Sequence, residues 1–287
     1  MTKAVVTGGA GFIGAHICRT LQEHGVEVVN IDLESGGDVR DVASLKRHFV
    51  GAQWVFHLAA LPRVQYSLEH PLETNETNVS GLLNVLVAAK ESQIKKVVYS
   101  SSSSVYGDQD KMPLREDMPP RPKSPYALQK YVGELYCKLF SDVYGLPTVS
   151  LRYFNVYGPG GDPNGPYALA IPKFLEQRKT GGPMIIFGDG EQTRDFTHVR
   201  DVVRANLLAA ESQDVGRGEV INIGAGKNAS VNKVAKLIGG PTEHVATRLE
   251  PHDTLADNSL AKKLLGWEPS VSLEEGIEEL KREAGLA

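Results

Sequence analysis

Tyr126 and Lys130 stand four residues apart in SPYALQK, a spacing that puts both on one face of a helix. An ammonium group beside a phenol favours the ionised phenol. Helped by a cationic cofactor, the pair could take up a proton near neutral pH, well below the usual phenol value of about 10. A positioned base of this kind suits hydride transfer, in which a hydroxyl must lose its proton as carbon loses hydride. The pair follows a strand-like run, Lys96–Ser100, that opens onto serines at 100–104. Tyrosine and lysine are common helix residues, so the pair gains its meaning from what precedes it.

Upstream, Lys3–Ala15 reads KAVVTGGAGFIGA: a short apolar strand, a glycine turn and the start of a helix. Gly8, Gly11 and Gly14 let backbone approach a pyrophosphate closely, and the amides of a helix opening at Phe12-Ile13 face its charge. Their spacing is Gly-x-x-Gly-x-x-Gly, and a tight turn alone would need no more. A second strand, Val26–Asp32, follows and ends in a carboxylate 18 residues beyond Gly14. At that distance Asp32 can accept from the adenosine ribose hydroxyls and disfavour a 2′-phosphate, which predicts NAD over NADP as cofactor.

These groups need a scaffold. Phe12–Glu23 reads as a helix with Ile13, Ile17 and Leu21 on one face, and a second follows Asp41 to about Phe49 with no full strand before it. Further strands are expected at Gln53–Leu58, Lys96–Ser100 and Leu146–Tyr153, with helices at Thr77–Glu91 and from Tyr126 to about Tyr144. Alternating strand and helix with short links predicts an α/β, doubly wound parallel sheet of Rossmann type. Composition changes at Gly158, where GPGGDPNGPYA precludes regular structure; a helix from Ala168 to about Arg178 and a strand at Met184–Phe187 follow. Asp201–Glu211 and Val220–Ile223 regain the buried character of the first domain, before helices at Ser230–Ile238 and Leu273–Ala284. The expected organisation is a cofactor domain over 1–157 and 199–224, and a smaller, discontinuous α+β substrate domain over 158–198 and 225–287.

At 287 residues, with 41% hydrophobic and 23% charged residues, the composition is that of an ordinary globular chain able to bury a large core. A net charge of −4 argues against nucleic acid as a partner. No run of 18 apolar residues marks a membrane span, and a strand that begins at Lys3 leaves no room for a signal peptide. Two cysteines, Cys18 and Cys137, without ligand-like spacing, predict a cytoplasmic setting and no metal.

Taken together, TGGAGFIG at 7–14, HLAA at 57–60, SSSSSVYGD at 100–108, SPYALQK at 124–130, LRYFNVYGP at 151–159 and FGDGEQTRDFTHVRDV at 187–202 resemble the extended short-chain dehydrogenase/reductase family. Within it, the chain is most similar to NAD-dependent sugar-nucleotide epimerases, in particular UDP-glucose and UDP-N-acetylglucosamine 4-epimerases. The resemblance implies that Ser102 bonds the reacting sugar hydroxyl, with Ser103 beside it, that Tyr126 is the base, and that Lys130 holds the nicotinamide ribose. It further implies that Asp38 and Val39 border adenine, that Leu58, Ala59 and Ala60 line the cofactor, and that Asn78, Ser100, Tyr153 and Phe154 complete its surroundings. Asn155 is expected at the sugar diphosphate and Phe187 near uridine. Arg194 supplies a forked donor for two phosphate charges, and Arg248 is a second candidate; His252 stands where relatives carry an arginine.

Related 4,6-dehydratases and UDP-glucuronate decarboxylases place an acidic residue after the strand-end hydroxyl, whereas here Ser103 follows and no Asp or Glu occurs before Asp108. This favours oxidation and re-reduction at C4 alone, with UDP-glucose/UDP-galactose and the N-acetylated pair as substrates. The resemblance implies that relatives restricted to glucose carry a bulky tyrosine just before the Ala-Asp pair region; here the position three before Asp257 is Thr254. UDP-glucuronate 4-epimerisation, for which Arg63 offers a cation, another NAD-dependent nucleotide-sugar epimerase or reductase, and a non-catalytic NAD sensor remain alternatives. The broad apolar faces of Thr77–Glu91 and Tyr126–Tyr144 predict a homodimer built on a four-helix contact, as in relatives.

Overall fold

The computed structural model describes residues 2–163, 170–247 and 253–286. β1 (Lys3–Thr7) runs into Gly8, whose φ of +75° opens the glycine turn, and α1 (Phe12–Glu23) buries Ile17 and Leu21 as its periodicity requires. β2 (Glu27–Ile31) ends at Asp32, which caps a single turn, Leu33–Ser35; α2 (Val42–Phe49) follows, with the Asp41 carboxylate accepting from the Ser44 N–H. No strand intervenes, as the compressed sequence suggests.

β3 (Trp54–His57) is followed by two short helices absent from the sequence reading, α3 (Val64–Glu69) and α4 (Pro71–Asn75). A wide π-type turn, Glu76–Ser80, then leads into α5 (Gly81–Glu91), so the helix expected from Thr77 is regular only from Gly81. β4 (Lys96–Ser102) extends two serines further than expected. α6 (Pro125–Tyr144) starts with proline, is capped by Ser124 Oγ accepting from Ala127 N–H, and stops at left-handed Gly145.

β5 (Thr148–Tyr153), β6 (Val156–Tyr157), α7 (Ala170–Lys179) and β7 (Met184–Phe187) come next. β8 (Thr193–Asp195), β9 (Thr197–His198), α8 (Val199–Glu211) and β10 (Arg217–Ile223) precede β11 (Asn228–Ser230), α9 (Val231–Ile238) and β12 (Thr242–Val245). α10 (Ser259–Leu265) and α11 (Leu273–Ala284) complete the chain.

Six parallel strands form the main sheet in the order β2-β1-β3-β4-β5-β10. Strand order reverses at β1, so the crevice beyond the carboxyl ends of β1 and β3 is the natural ligand position of such a sheet. On one face α1 and α8 bury Ile17, Leu21, Val199, Val202 and Ala205; on the other α2, α5 and α6 bury Leu45, Leu82, Leu86 and Cys137. A separate core joins α7, α9 and α11 through Phe174, Val234 and Ile277. Small pairings, β7 with β12 and β8 with β11, complete this α+β unit, which is assembled from two stretches of chain. Within 225–287, the segment Ser259–Trp267 returns to the first core: Ala261, Leu265 and Trp267 pack against α8 and β10. Trp267 Nε1 donates to the Asp201 carbonyl, and the Asp201 carboxylate takes the amides of Ser270 and Val271, anchoring that return.

Candidate active site

The glycine turn is packed where a side chain cannot fit. A Cβ at Gly8 would lie 2.7 Å from the Ala59 nitrogen, and one at Gly14 only 2.1 Å from the Gly8 carbonyl oxygen. β1, the end of β3 and the first turn of α1 thereby converge, and the turn opens with Gly11 as N-cap and no acidic side chain. The amides of Phe12 and Ile13 belong to that turn, where a helix leaves its N–H groups without intrahelical partners. Asp32 reaches the same turn: Oδ2 accepts from Ala10 N–H at 3.0 Å and Oδ1 from Glu34 N–H at 3.1 Å. A cradle without side chains, flanked by a carboxylate, fits a dinucleotide.

Around it, Leu58, Ala59 and Ala60 are half-buried at the end of β3. Asp38 is gripped by Arg40 through its guanidinium, which lowers the Asp38 carboxyl below its ordinary range. Val39 is buried beside Gly81, where a Cβ would meet it at 2.7 Å. Asn78 is spent internally: Oδ1 accepts from Leu61 N–H at 2.7 Å, and Nδ2 donates to the Leu61 carbonyl and Gln129 Oε1. It therefore clamps the loop after β3. Tyr153 donates its hydroxyl to Asn206 Oδ1 and shares a bond with Ser100 Oγ. The Phe154 ring has no exposed surface and packs with Tyr106, Leu114 and Ala256.

At the end of β4 the expected trio comes together. The Tyr126 phenol lies near the Ser102 hydroxyl, and burial pushes its pKa up to about 12, an effect Ser102 opposes. Lys130 Nζ donates to the Ser100 carbonyl at 2.7 Å and lies 5.9 Å from the Tyr126 ring centre. Burial pulls Lys130 down to about 8. Desolvation is the larger influence on the Tyr126 phenol, and Ser102 the smaller, opposing one. Ser102 Oγ accepts from both Ser104 N–H (3.2 Å) and Ser104 Oγ–H (2.9 Å), which leaves the Ser102 proton to be donated outward.

On the second-domain side, Asn155, in an unusual φ of +29°, donates to the Asp195 carbonyl (3.1 Å) and Thr254 Oγ1 (3.2 Å). Arg194 sits beside Asp195 on β8, with Nη1 donating to the Thr193 carbonyl, while Phe187 is half-buried at the end of β7. Asn155 and Thr254 thus meet against the backbone of β8, the strand that carries Arg194. The buried Asp195 carboxylate ties β8 down by accepting from Ala225, Gly226 and Ala256 N–H, although burial raises it to about 6. Arg248 and His252 lie outside the described residues, as does Ala168. Among the described residues no cluster of His, Cys, Asp and Glu is arranged to hold a metal, and no helix is long and apolar enough to cross a membrane.

The model of the NAD dependent epimerase/dehydratase family matches residues 4–224. The chain belongs to that family. It is 38% identical over 95% of both chains to a putative UDP-glucose 4-epimerase of Methanocaldococcus jannaschii. It is also 38% identical to the solved UDP-N-acetylglucosamine 4-epimerase of Methanobrevibacter ruminantium M1, in complex with UDP-N-acetylmuramic acid, with a TM-score of 0.91 over 98% of this chain and 99% of that one. A UDP-glucuronic acid 4-epimerase from Bacillus cereus, in complex with UDP-glucuronic acid and NAD, matches at 33% identity and a TM-score of 0.88 over 99% of each.

Sequence reasoning missed the supports of this family site. Ser67 on α3 accepts the Tyr126 N–H at 3.1 Å, and Gln129 joins Asn78 to Thr74. Glu134 and Arg152 form a buried bidentate pair at 2.8 and 2.7 Å, with Ser101 Oγ donating to Glu134 and Tyr106 under the guanidinium. One signal was available: Glu134 continues the four-residue spacing of Tyr126 and Lys130 along a single helix face.

Proposed function

We propose that the protein interconverts UDP-hexoses at C4, with NAD as cofactor and a 4-keto sugar as transient intermediate. The carrying observation is the convergence of Ser102, Tyr126 and Lys130 at the carboxyl end of β4, the same edge of the parallel sheet as the Gly8–Gly14 cradle. Tyr126 takes the proton of the 4-hydroxyl, and Ser102 donates to the same oxygen. Lys130 holds the nicotinamide ribose with the protons not given to Ser100. Bound NAD would supply the hydride acceptor and donor for C4, and Tyr126 returns its proton to O4 when the turned 4-keto sugar is reduced on its opposite face. Asn155, Arg194 and Phe187 hold the nucleotide end while the sugar moves; Arg248 is a further diphosphate ligand. Asp32 favours NAD over NADP because a 2′-phosphate would face its carboxylate.

The acid that expulsion of a 6-hydroxyl would need is missing from the strand end. Asp108, the first acidic residue after the serines, is exposed and paired with Lys123. Simple epimerisation is therefore favoured over dehydration. Likeness to an N-acetylglucosamine enzyme, together with the small Thr254, supports acceptance of the N-acetylated pair. The likeness to a UDP-glucuronic acid enzyme keeps hexuronates as the second reading. We also propose a homodimer: α6 leaves Leu128, Leu135, Leu139 and Val143 exposed along one stripe, whereas α5 buries most of its apolar face.

The test is incubation of the purified protein with UDP-glucose, UDP-N-acetylglucosamine and UDP-glucuronate, with and without added NAD, followed by separation of the C4 epimers. Conversion of at least one UDP-hexose is expected. A folded, NAD-binding protein that epimerises none of the three would refute the reading.

A further inference from the structure

Tyr99 has so far had no role. It lies on β4 next to Ser100, is 1% exposed, and its hydroxyl is buried without a hydrogen-bond partner. That hydroxyl abuts Gly133 of α6, where a Cβ would come within 2.3 Å of it. A buried tyrosine ordinarily uses its hydroxyl; here only the ring makes a polar contact. Lys130 Nζ sits over the Tyr99 ring, 5.0 Å from its centre, closer than it sits to Tyr126. Glu134, one turn further along α6, does not neutralise Lys130 directly, because its carboxylate is held by Arg152 and Ser101.

We propose that Tyr99 is a positioning residue for Lys130: its ring face and the Ser100 carbonyl together hold the buried ammonium in its charged form, aimed at the cofactor. The inference rests on the reading of Tyr126 and Lys130 as the proton-transfer pair. The quadrupole of an aromatic ring attracts a cation without a charge of its own, so it stabilises Lys130 and leaves Tyr126 free of a competing anion. A carboxylate in that place would oppose formation of tyrosinate by like-charge repulsion. The other groups around Lys130 do not substitute for the ring. His57, stacked on Tyr99 at 5.8 Å, is held neutral by burial, its pKa down at about 3. The Cys137 thiol is held up at about 12, Tyr126 likewise at about 12, and Glu134 acts only at longer range.

The experiment measures epimerisation by the full-length protein as a function of pH for the parent, Tyr99→Leu, Tyr99→Phe and Lys130→Ala. Losing the ring lowers the pKa of Lys130, so the ammonium disappears at lower pH. In Tyr99→Leu the alkaline fall in kcat moves to lower pH by about one unit, with the KM for the sugar nucleotide little changed. Tyr99→Phe, which keeps the ring and removes only the unpartnered hydroxyl, restores the parental profile. If Tyr99→Leu does not fold, phenylalanine at 99 carrying one, two or three ring fluorines replaces it. Shape is nearly kept while the ring face loses negative potential, and the alkaline limb should step downward with each fluorine. A limb that ignores fluorination, or a Tyr99→Leu profile matching the parent, overturns the inference. A Lys130→Ala protein with parental turnover would instead overturn the underlying pair, and this role of Tyr99 with it.

Discussion

Thr254→Tyr separates two effects that the proposed function assigns to one residue. Thr254 Oγ1 accepts from Asn155 Nδ2 at 3.2 Å and from Asp195 N–H at 3.3 Å, so its hydroxyl helps hold the side chain assigned to the diphosphate. Any substitution that removes the hydroxyl frees Asn155, and a lost neutral hydrogen bond of this kind is worth about 1 kcal/mol, roughly fivefold in kcat/KM. That loss is common to every UDP-sugar, because all carry the same diphosphate. Tyrosine adds a ring as well. Asn155 and the β8 backbone occupy the hydroxyl side of residue 254, so a tyrosine ring there needs new space, which the proposed function puts in the sugar pocket. There it meets the acetamido group as the 4-keto sugar turns. Filling a packed site this way costs about 1–3 kcal/mol, or roughly 5- to 150-fold, and falls only on the acetylated pair. Thr254→Val is the control: it keeps the shape, removes the hydroxyl, and should lower all four substrates alike. The assay is kcat/KM for UDP-glucose, UDP-galactose and their N-acetylated counterparts in the three proteins. The ratio of acetylated to plain activity should be unchanged in Thr254→Val and fall in Thr254→Tyr. An equal ratio in all three proteins, or a parent inert toward the acetylated sugars, would refute the reasoning.

Tyr126→Phe removes the proton acceptor but leaves its N–H bonded to Ser67; NAD should still bind while turnover falls by about 10²–10⁴, and near-parental turnover would place the base elsewhere. Glu134→Leu or Arg152→Met alone leaves a buried charge unpaired and should cost about 3–5 kcal/mol in denaturant unfolding, whereas the double variant should regain much of that loss; strictly additive costs would mean the pair is not coupled. Leu135→Glu with Leu139→Glu should convert a dimer to a monomer by light scattering, and a parent already monomeric at micromolar concentration would dispose of the α6 interface.

Much of the fold was legible because its signals are local. β1, the glycine turn and α1 follow from a buried run, residues without side chains and a 3.6-residue apolar period, and α1 begins and ends where that period does. α6 announces itself by Ser124-Pro125 and ends at Gly145. Elements stabilised from outside were hidden. α3 and α4 leave Leu68 and Leu72 exposed and bury Ser67 and Thr74, the reverse of an amphipathic pattern, because their inward face meets polar groups of α6. β12 is largely exposed and exists through pairing with β7. α10 lies within a stretch that reads as second domain, yet its apolar side chains complete the first core.

The serine run shows where sequence stops and geometry begins. Identical residues in sequence cannot be ranked by type, but a strand's pleat sends neighbours to opposite sides. On β4, Tyr99 and Ser101 turn toward α6, one over Lys130 and the other to Glu134, while Ser100 turns its hydroxyl to Tyr153 and gives its carbonyl to Lys130. Ser102, at the strand's end, meets Tyr126, and Ser104 folds back to fill the acceptor sites of Ser102. In the proposed reaction one hydroxyl of that run serves the reacting oxygen, and the others fix what surrounds it. The chemistry of the site therefore depends on the register of β4 against β5 and α6 as much as on its residue types. A one-residue slip that moved Ser101 into the place of Ser102 would still put a serine, Ser100, opposite Glu134, but it would put Val98 where Tyr99 now meets Lys130.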